Sequence, residues 1–396
     1  LFPYTTLFRS HLPDASVTMN TVKNSSYSYR KGCVYMAIKV AVLGGGNGGH
    51  AAAADLTNRG FCVHMYEDAR FAGNLRKVFE THEITMAGAA GNATVRIDMV
   101  TTDLREAVAD VAFIFVAVPA FAHDVYAVQL AELVKPGQTV VVLPGTFDSL
   151  IFWKEFRKRG IEDVVVAETN TLPYATRLQG PGNTLIMSLF NPLKIGVMPA
   201  CKTRETVEKL RPFYPSLEAV ESVIACGLSS LNPIIHVPGC ILNAGRIEYA
   251  KGEFYFYTEG FTPCVARTTE AIDKERIALL DSFGYASDIV AHGVGGSVVT
   301  DDIGEAIASD PNFAKIKGPA DTKNRYYAED IPYGLAPWAK LARAMGVSVP
   351  VIDSMITIGS ALLGYDCWEK GHSLRDLGIE GLTREALLEY LDTGSL

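Results

Sequence analysis

A chain of 396 residues with 48% hydrophobic and 20% charged residues has a globular composition, and its length suits two domains better than one. A net charge of −8 without any basic run excludes nucleic acid and anionic membrane surfaces as main partners. The longest apolar run, Val111 to Ala122, is too short for a bilayer, and seven dispersed cysteines without CxxC or metal spacing point to reduced thiols in a cytosol.

Residues 1 to 35 read unlike the rest of the chain. They open without methionine and lack the continuous apolar stretch of a secretory signal, so a disordered or non-native extension is expected, with Met36 as the start. From Ala37 the pattern changes. IKVAVLG (38–44) has the pattern of a buried strand, GGNGGH (45–50) of a glycine turn, and AAAADLTNRG (51–60) of a helix of small residues closing at Gly60. FCVHMYED (61–68) is a second strand. VADVAFIFVAVP (108–119) and GQTVVVLPG (137–145) are two more, with HDVYAVQLAELVK (123–135) as a helix between them. DVVVAET (163–169) and LKIGVMPA (193–200) add strands, and such alternation predicts a parallel sheet covered on both faces. After about Ala225 the strand signals fade. The stretches 232–250, 262–284, 332–346 and 349–364 read as helices, so a second, mainly α domain is expected from a boundary between about 200 and 228.

Gly44, Gly46 and Gly49 form G-x-G-x-x-G at a strand-to-helix junction, with Asn47 inside the same loop. The first glycine permits the tight turn, the second lets the backbone approach a pyrophosphate, and the third lets helix and strand pack closely. The helix N-terminus then faces the phosphate charge. Glu67 and Asp68 end the second strand at roughly the 20-residue offset that puts a carboxylate on the ribose. Glu67, nearer the strand body, is the candidate. Its charge repels a 2′-phosphate and favours NAD, while Arg70 and Arg76 leave NADP open.

NPIIHVPGCILNAGRIE (232–248) reads as a buried helix with a fault: His236 and Asn243 sit among core residues, seven apart and so nearly on one face. Asn232 before Pro233 has the look of an N-cap, but Asn243 has no such role in mid-helix, and two polar groups there need partners or a wet cleft. In NRYYAEDIPYGLAP (324–337), Arg325, Glu329 and Asp330 precede Pro332 on an expected loop. Glu329 reads as solvated surface, whereas Asp330 is placed to reach a histidine. A carboxylate beside an imidazole raises its pKa and selects its tautomer, and a helix N-terminus lowers it; balanced near neutrality, the ring both gives and takes a proton.

Five segments, GGGNGGHAAAADL, ETNTLPYATR, NPIIHVPGCILNAGRIE, RYYAEDIPYGLAP and VPVIDSMITIGSALLG, resemble the opine dehydrogenases, the octopine/nopaline dehydrogenase family, in order and spacing. The resemblance runs from Met36 to the C-terminus. It implies an N-terminal Rossmann domain (36–224) with a doubly wound parallel sheet, then an all-α domain (225–396) of the 6-phosphogluconate dehydrogenase C-terminal-like kind, with catalysis between them. It implies a His–Asp pair on His236 and Asp330, and Arg325 as the holder of a substrate carboxylate; Asn243 is kept as a cleft-lining candidate. The implied reaction is NAD(P)H-dependent condensation of an amino acid with a 2-oxo acid such as pyruvate. The expected partners are these small molecules, with a homodimer as candidate assembly, in a cytoplasmic setting and without a metal. Two other readings are weighed. A reductase of the ketopantoate or glycerol-phosphate dehydrogenase kind relies on a lysine where this chain offers His–Asp. A non-catalytic nucleotide sensor would not need His236, Asp330 and Arg325 together.

Overall fold

The computed structural model describes residues 27–30, 33–36, 38–294, 298–311 and 313–395. Leu1–Ala37 is a unit of its own, described only as an antiparallel pairing of Tyr27–Arg30 with Cys33–Met36. The rest of the expected extension lies outside the described residues.

Unbroken apolar runs become the central strands of the second unit, Ile38–Leu396. Its main sheet has eight strands: β1 Lys39–Leu43, β2 Cys62–Tyr66, β3 Met99–Thr101, β4 Phe113–Val116, β5 Thr139–Val142, β6 Val165–Thr169, β7 Leu193–Met198 and β8 Leu217–Ala219. The spatial order is β8-β7-β6-β5-β4-β1-β2-β3. The strands turn back in order between β1 and β4, which opens a crevice at their carboxyl ends. Pairing is parallel except between β6 and β7. That pair is antiparallel because β6 and β7 are joined by a hairpin, Tyr174–Gly180 with Asn183–Leu189, and not by a crossover helix. The hairpin belongs to a separate four-stranded sheet with Glu83–Gly88 and Ala93–Arg96. Its strands are half-buried: Ile84 and Met86 point inward while Glu83 and Thr85 face out.

Helix α1 (Asn47–Asn58) packs its alanines against the main sheet within one apolar cluster. A second cluster runs from Leu43, Val116 and Val142 through Ile234 and Val237 to Trp338 and Ile356, so sheet and helical part share a core. The stretch Val223–Ile241 is apolar and long enough to cross a membrane by composition, yet 83% of its window is buried in this core.

The single helix expected over 232–250 is two: α2 (Asn232–Ile241) and α3 (Ala244–Ala250). Pro238, inside α2, has no N–H to give. Asn243 N–H bonds the Cys240 carbonyl, three residues back, while its side-chain amide takes the Gly239 carbonyl four back, and the helix closes there. The acids before Pro332 are not on a loop either. Arg325–Ala328 is a short helix, and Asp330–Leu335 is a π-helical turn. Gly334 lets that turn approach α2 closely, since a Cβ there would meet Pro233 Cγ at 2.6 Å.

Candidate active site

The glycine loop has the shape its spacing implies. Gly44 has φ +111°, and a Cβ there would meet the Ala117 carbonyl at 2.5 Å; a Cβ at Gly49 would lie 1.7 Å from the Gly44 carbonyl oxygen. Around Gly46, by contrast, nothing lies within 4 Å of a Cβ position. Gly46 is also the N-cap of α1 and brings no side chain to the first-turn N–H groups. Open space before an uncapped helix N-terminus suits a pyrophosphate. Glu67, 5% exposed, accepts from Gly45 N–H at 2.9 Å and Asn74 Nδ2 at 3.1 Å with one oxygen, and from Asp68 N–H at 3.0 Å with the other. Asn47 Oδ1 accepts from Leu178 N–H at 2.6 Å, tying the loop to the second sheet. Asp68 is engaged by Arg70, which holds its carboxyl below the usual range.

His236 and Asp330, 94 residues apart, meet. Nδ1 lies 2.7 Å from Asp330 Oδ2, and Nε2 lies 3.2 Å from the Tyr257 hydroxyl. The Tyr326 ring stacks on the imidazole with centroids 3.6 Å apart and planes at 12°. The π turn accounts for Asp330: an extra residue in the turn re-aims the side chain towards α2.

Asp330, Arg325, Glu329 and Asn232 line a cleft with Ala120 and Gly145 from the sheet side; His236 is not in its wall. Glu329 is not the solvated acid expected. Its Oε1 accepts from Ala120 N–H at 3.1 Å, and its Oε2 lies 3.1 Å from Arg325 Nε. Ala120 follows β4 by four residues, so this carboxylate ties the helical part to the crevice. The Arg325 side chain is 54% exposed, and a guanidinium is always charged.

Asn243 stands apart from this group. Both protons of its amide are given to backbone, to the carbonyls of Gly239 (2.8 Å) and Gly260 (2.9 Å). It clamps the α2–α3 corner, a role hidden as long as the two helices read as one. Asn232 is not an N-cap: α2 is preceded by Leu231, no side chain caps it, and Asn232 faces the cleft. Tyr257 and Tyr326 carry no signal in the sequence, because FYFY (254–257) reads as core and NRYY (324–327) as loop. Nor does the buried set under the cleft, where Asp148 Oδ1 lies 3.3 Å from His123 Nδ1 and 3.1 Å from His372 Nε2. Burial alone would raise the Asp148 carboxyl, but the two imidazoles outweigh it and hold it well below the usual range. Burial and then the charge of Asp148 lift Glu168 to about 7. The sequence shows no metal spacing, yet on β2 Cys62 and His64, two apart on one strand face, come together with Asp98, their donor atoms within 4.8 Å of one another. The Cys62 thiol donates to Asp98 at 3.0 Å.

Residues 219–363 match the family described as NAD/NADP octopine/nopaline dehydrogenase, alpha-helical domain. Residues 39–181 match the N-terminus of NAD-dependent glycerol-3-phosphate dehydrogenase. An opine dehydrogenase of Arthrobacter sp. (strain 1C) is 33% identical over 349 residues, covering 87% of this chain and 96% of its own length. An opine dehydrogenase of Haliotis discus hannai is 28% identical over 391 residues, covering 83% and 91%. An octopine dehydrogenase structure solved with NADH and pyruvate shares the fold at a TM-score of 0.70 and 20% identity, covering 91% of this chain and 99% of that one. The chain therefore belongs to the opine dehydrogenase family, and is an NAD(P)-dependent oxidoreductase acting on CH–NH groups.

Proposed function

We propose that the chain condenses an amino acid with a 2-oxo acid such as pyruvate and reduces the product to an N-(carboxyalkyl) amino acid, and runs the reverse oxidation. The observation that carries this is the 2.7 Å contact of His236 with Asp330 beside a cleft that Arg325 also lines. In this reading His236 takes the proton that frees the amine for attack on the carbonyl, and returns one to the departing hydroxyl. Asp330 orients the ring and selects the tautomer. Arg325 holds a substrate carboxylate by paired hydrogen bonds. Gly44, Gly46, Asn47, Gly49 and Glu67 form the dinucleotide site, and the nicotinamide, when bound, supplies a hydride to the imine. Octopine dehydrogenase structures with pyruvate, with L-arginine and with agmatine support the substrate class. We divide the chain at 224/225, after the last strand among the described residues, and place it in the cytosol, which a set of dispersed cysteines without CxxC spacing suits.

The test is the requirement for an amine. With NADH and pyruvate alone, absorbance at the NADH band should hardly fall; adding amino acids from a panel should start the reaction, with a secondary amine dicarboxylate found by mass spectrometry. Amine-independent oxidation to a hydroxy acid would instead assign the chain to the oxo-acid reductases, whose fold it shares at a TM-score of 0.56.

Glu67→Ser removes the charge facing a 2′-phosphate. The ratio of NADH to NADPH affinity should move towards NADPH by about tenfold, on the order of 1.4 kcal/mol. Because Gly45 N–H also loses its acceptor, NADH itself should bind more weakly. Fluorescence titration with both nucleotides measures this, and an unmoved ratio hands the selectivity to Arg70 or Arg76.

A further inference from the structure

The nitrogen that faces Asp330 is not the one free to trade protons. An ionised carboxylate only accepts, so Nδ1 of His236 carries a hydrogen, and in the neutral ring Nε2 holds the lone pair. The Tyr257 hydroxyl lies 3.2 Å from that nitrogen, and the whole tyrosine is 6% exposed. The tyrosine is also firmly delivered. Gly239 on α2 lets Phe256 pack against the helix, since a Cβ there would meet Phe256 Cζ at 2.6 Å. Phe256 N–H donates to the Ile316 carbonyl at 3.0 Å, and the Phe313 ring lies 4.3 Å from that of Tyr257. Burial, and next to it Tyr326 by its charge and its hydroxyl contact, keeps the Tyr257 phenol well above its usual range, so it stays protonated, with His236 Nε2 and the Tyr326 hydroxyl as the acceptors in reach.

We infer that Tyr257 is a positioning residue of this enzyme: its O–H, donated to His236 Nε2, locks the imidazole plane from the side opposite Asp330. The imidazole turns only about its Cα–Cβ and Cβ–Cγ bonds. The Asp330 contact at Nδ1 and stacking on Tyr326 each oppose such a turn, and a second anchor at Nε2, across the ring, opposes it further. The anchor also keeps the lone pair partnered in a buried site, and the hydroxyl stays at the ring edge when a substrate oxygen or amine approaches Nε2. This rests on the proposed proton-transfer role of His236.

Tyr257→Phe keeps the ring and removes the anchor. With one neutral hydrogen bond lost, kcat should fall about tenfold, with KM for both substrates and Kd for NADH within about twofold. In the substrate-free enzyme labelled with 15N-histidine, the His236 Nε2 resonance should move towards that of an unprotonated nitrogen without a donor. A merely structural tyrosine would lower the unfolding midpoint and leave both readouts in place, and that result overturns the inference. Should the variant not fold, the wild-type spectrum still decides: Nε2 must appear unprotonated and hydrogen-bonded, and a protonated Nε2 overturns the assignment. If His236→Ala keeps full turnover, the functional reading fails, whereas the nitrogen resonance continues to report on Tyr257 alone.

Discussion

His236→Ala is expected to lower kcat by about 10²–10⁴, the range general acid–base groups contribute, with NADH affinity nearly unchanged. The imidazole belongs to α2, and the glycine loop at the head of α1 is built without it. The substitution has a second consequence. It leaves Asp330, 5% exposed, without its partner, and an uncompensated buried carboxylate costs about 3–5 kcal/mol. A loss of activity in the single variant could therefore be a loss of fold. The double variant His236→Ala/Asp330→Asn removes the charge together with its partner, so its unfolding midpoint should recover most of the difference while kcat stays low. Measuring kcat, NADH Kd and thermal midpoint on both variants separates the two effects. Near-normal turnover in either removes His236 from the mechanism.

How far the residues announce this arrangement depends on the kind of signal. β1, β4, β5 and β6 are legible because strands buried on both faces are continuous apolar runs, and the glycine loop because steric demands at Gly44 and Gly49 leave no other residue. The four-stranded sheet is not. Its strands alternate buried and exposed positions over only a few residues and are broken by glycines and polar side chains, as in Glu83–Gly88. His236 stands out because an imidazole among isoleucines needs an explanation, and its spacing to Asn243 suggests a wrong one. The helix breaks at Leu242, which turns Asn243 into a backbone clamp. Glu329 looks like surface because an acid before a proline usually is; what gives it a partner is Ala120, 209 residues away. His123, Asp148 and His372 share that difficulty, since nothing local marks three polar residues that meet only in the folded core. Tyr257 is hidden differently: an aromatic run fits a core so well that one hydroxyl with a task leaves no trace in the pattern.

The second large effect distinguishes a glycine kept for the fold from one kept for a ligand. At Gly49 a Cβ would sit 1.7 Å from the Gly44 carbonyl oxygen, which is backbone and cannot rotate away. Gly49→Ala must therefore separate β1 from α1, at a cost of about 3 kcal/mol or more for overpacking against a fixed chain, and the thermal midpoint should fall steeply. Gly46 has no such constraint. Its φ of −82° is open to any residue, and a Cβ would find nothing within 4 Å. Gly46→Ala should keep the wild-type midpoint in the absence of nucleotide. If the empty space in front of Gly46 is where the pyrophosphate meets the helix N-terminus, the same methyl group then blocks the approach. NADH affinity should fall by about two orders of magnitude, on the order of 2–3 kcal/mol. Calorimetric unfolding without ligand, paired with fluorescence titration of NADH, reads both quantities on each variant. Wild-type affinity in Gly46→Ala would place the dinucleotide elsewhere along the crevice, because a folded loop with a methyl group at that position cannot hold a pyrophosphate against its backbone.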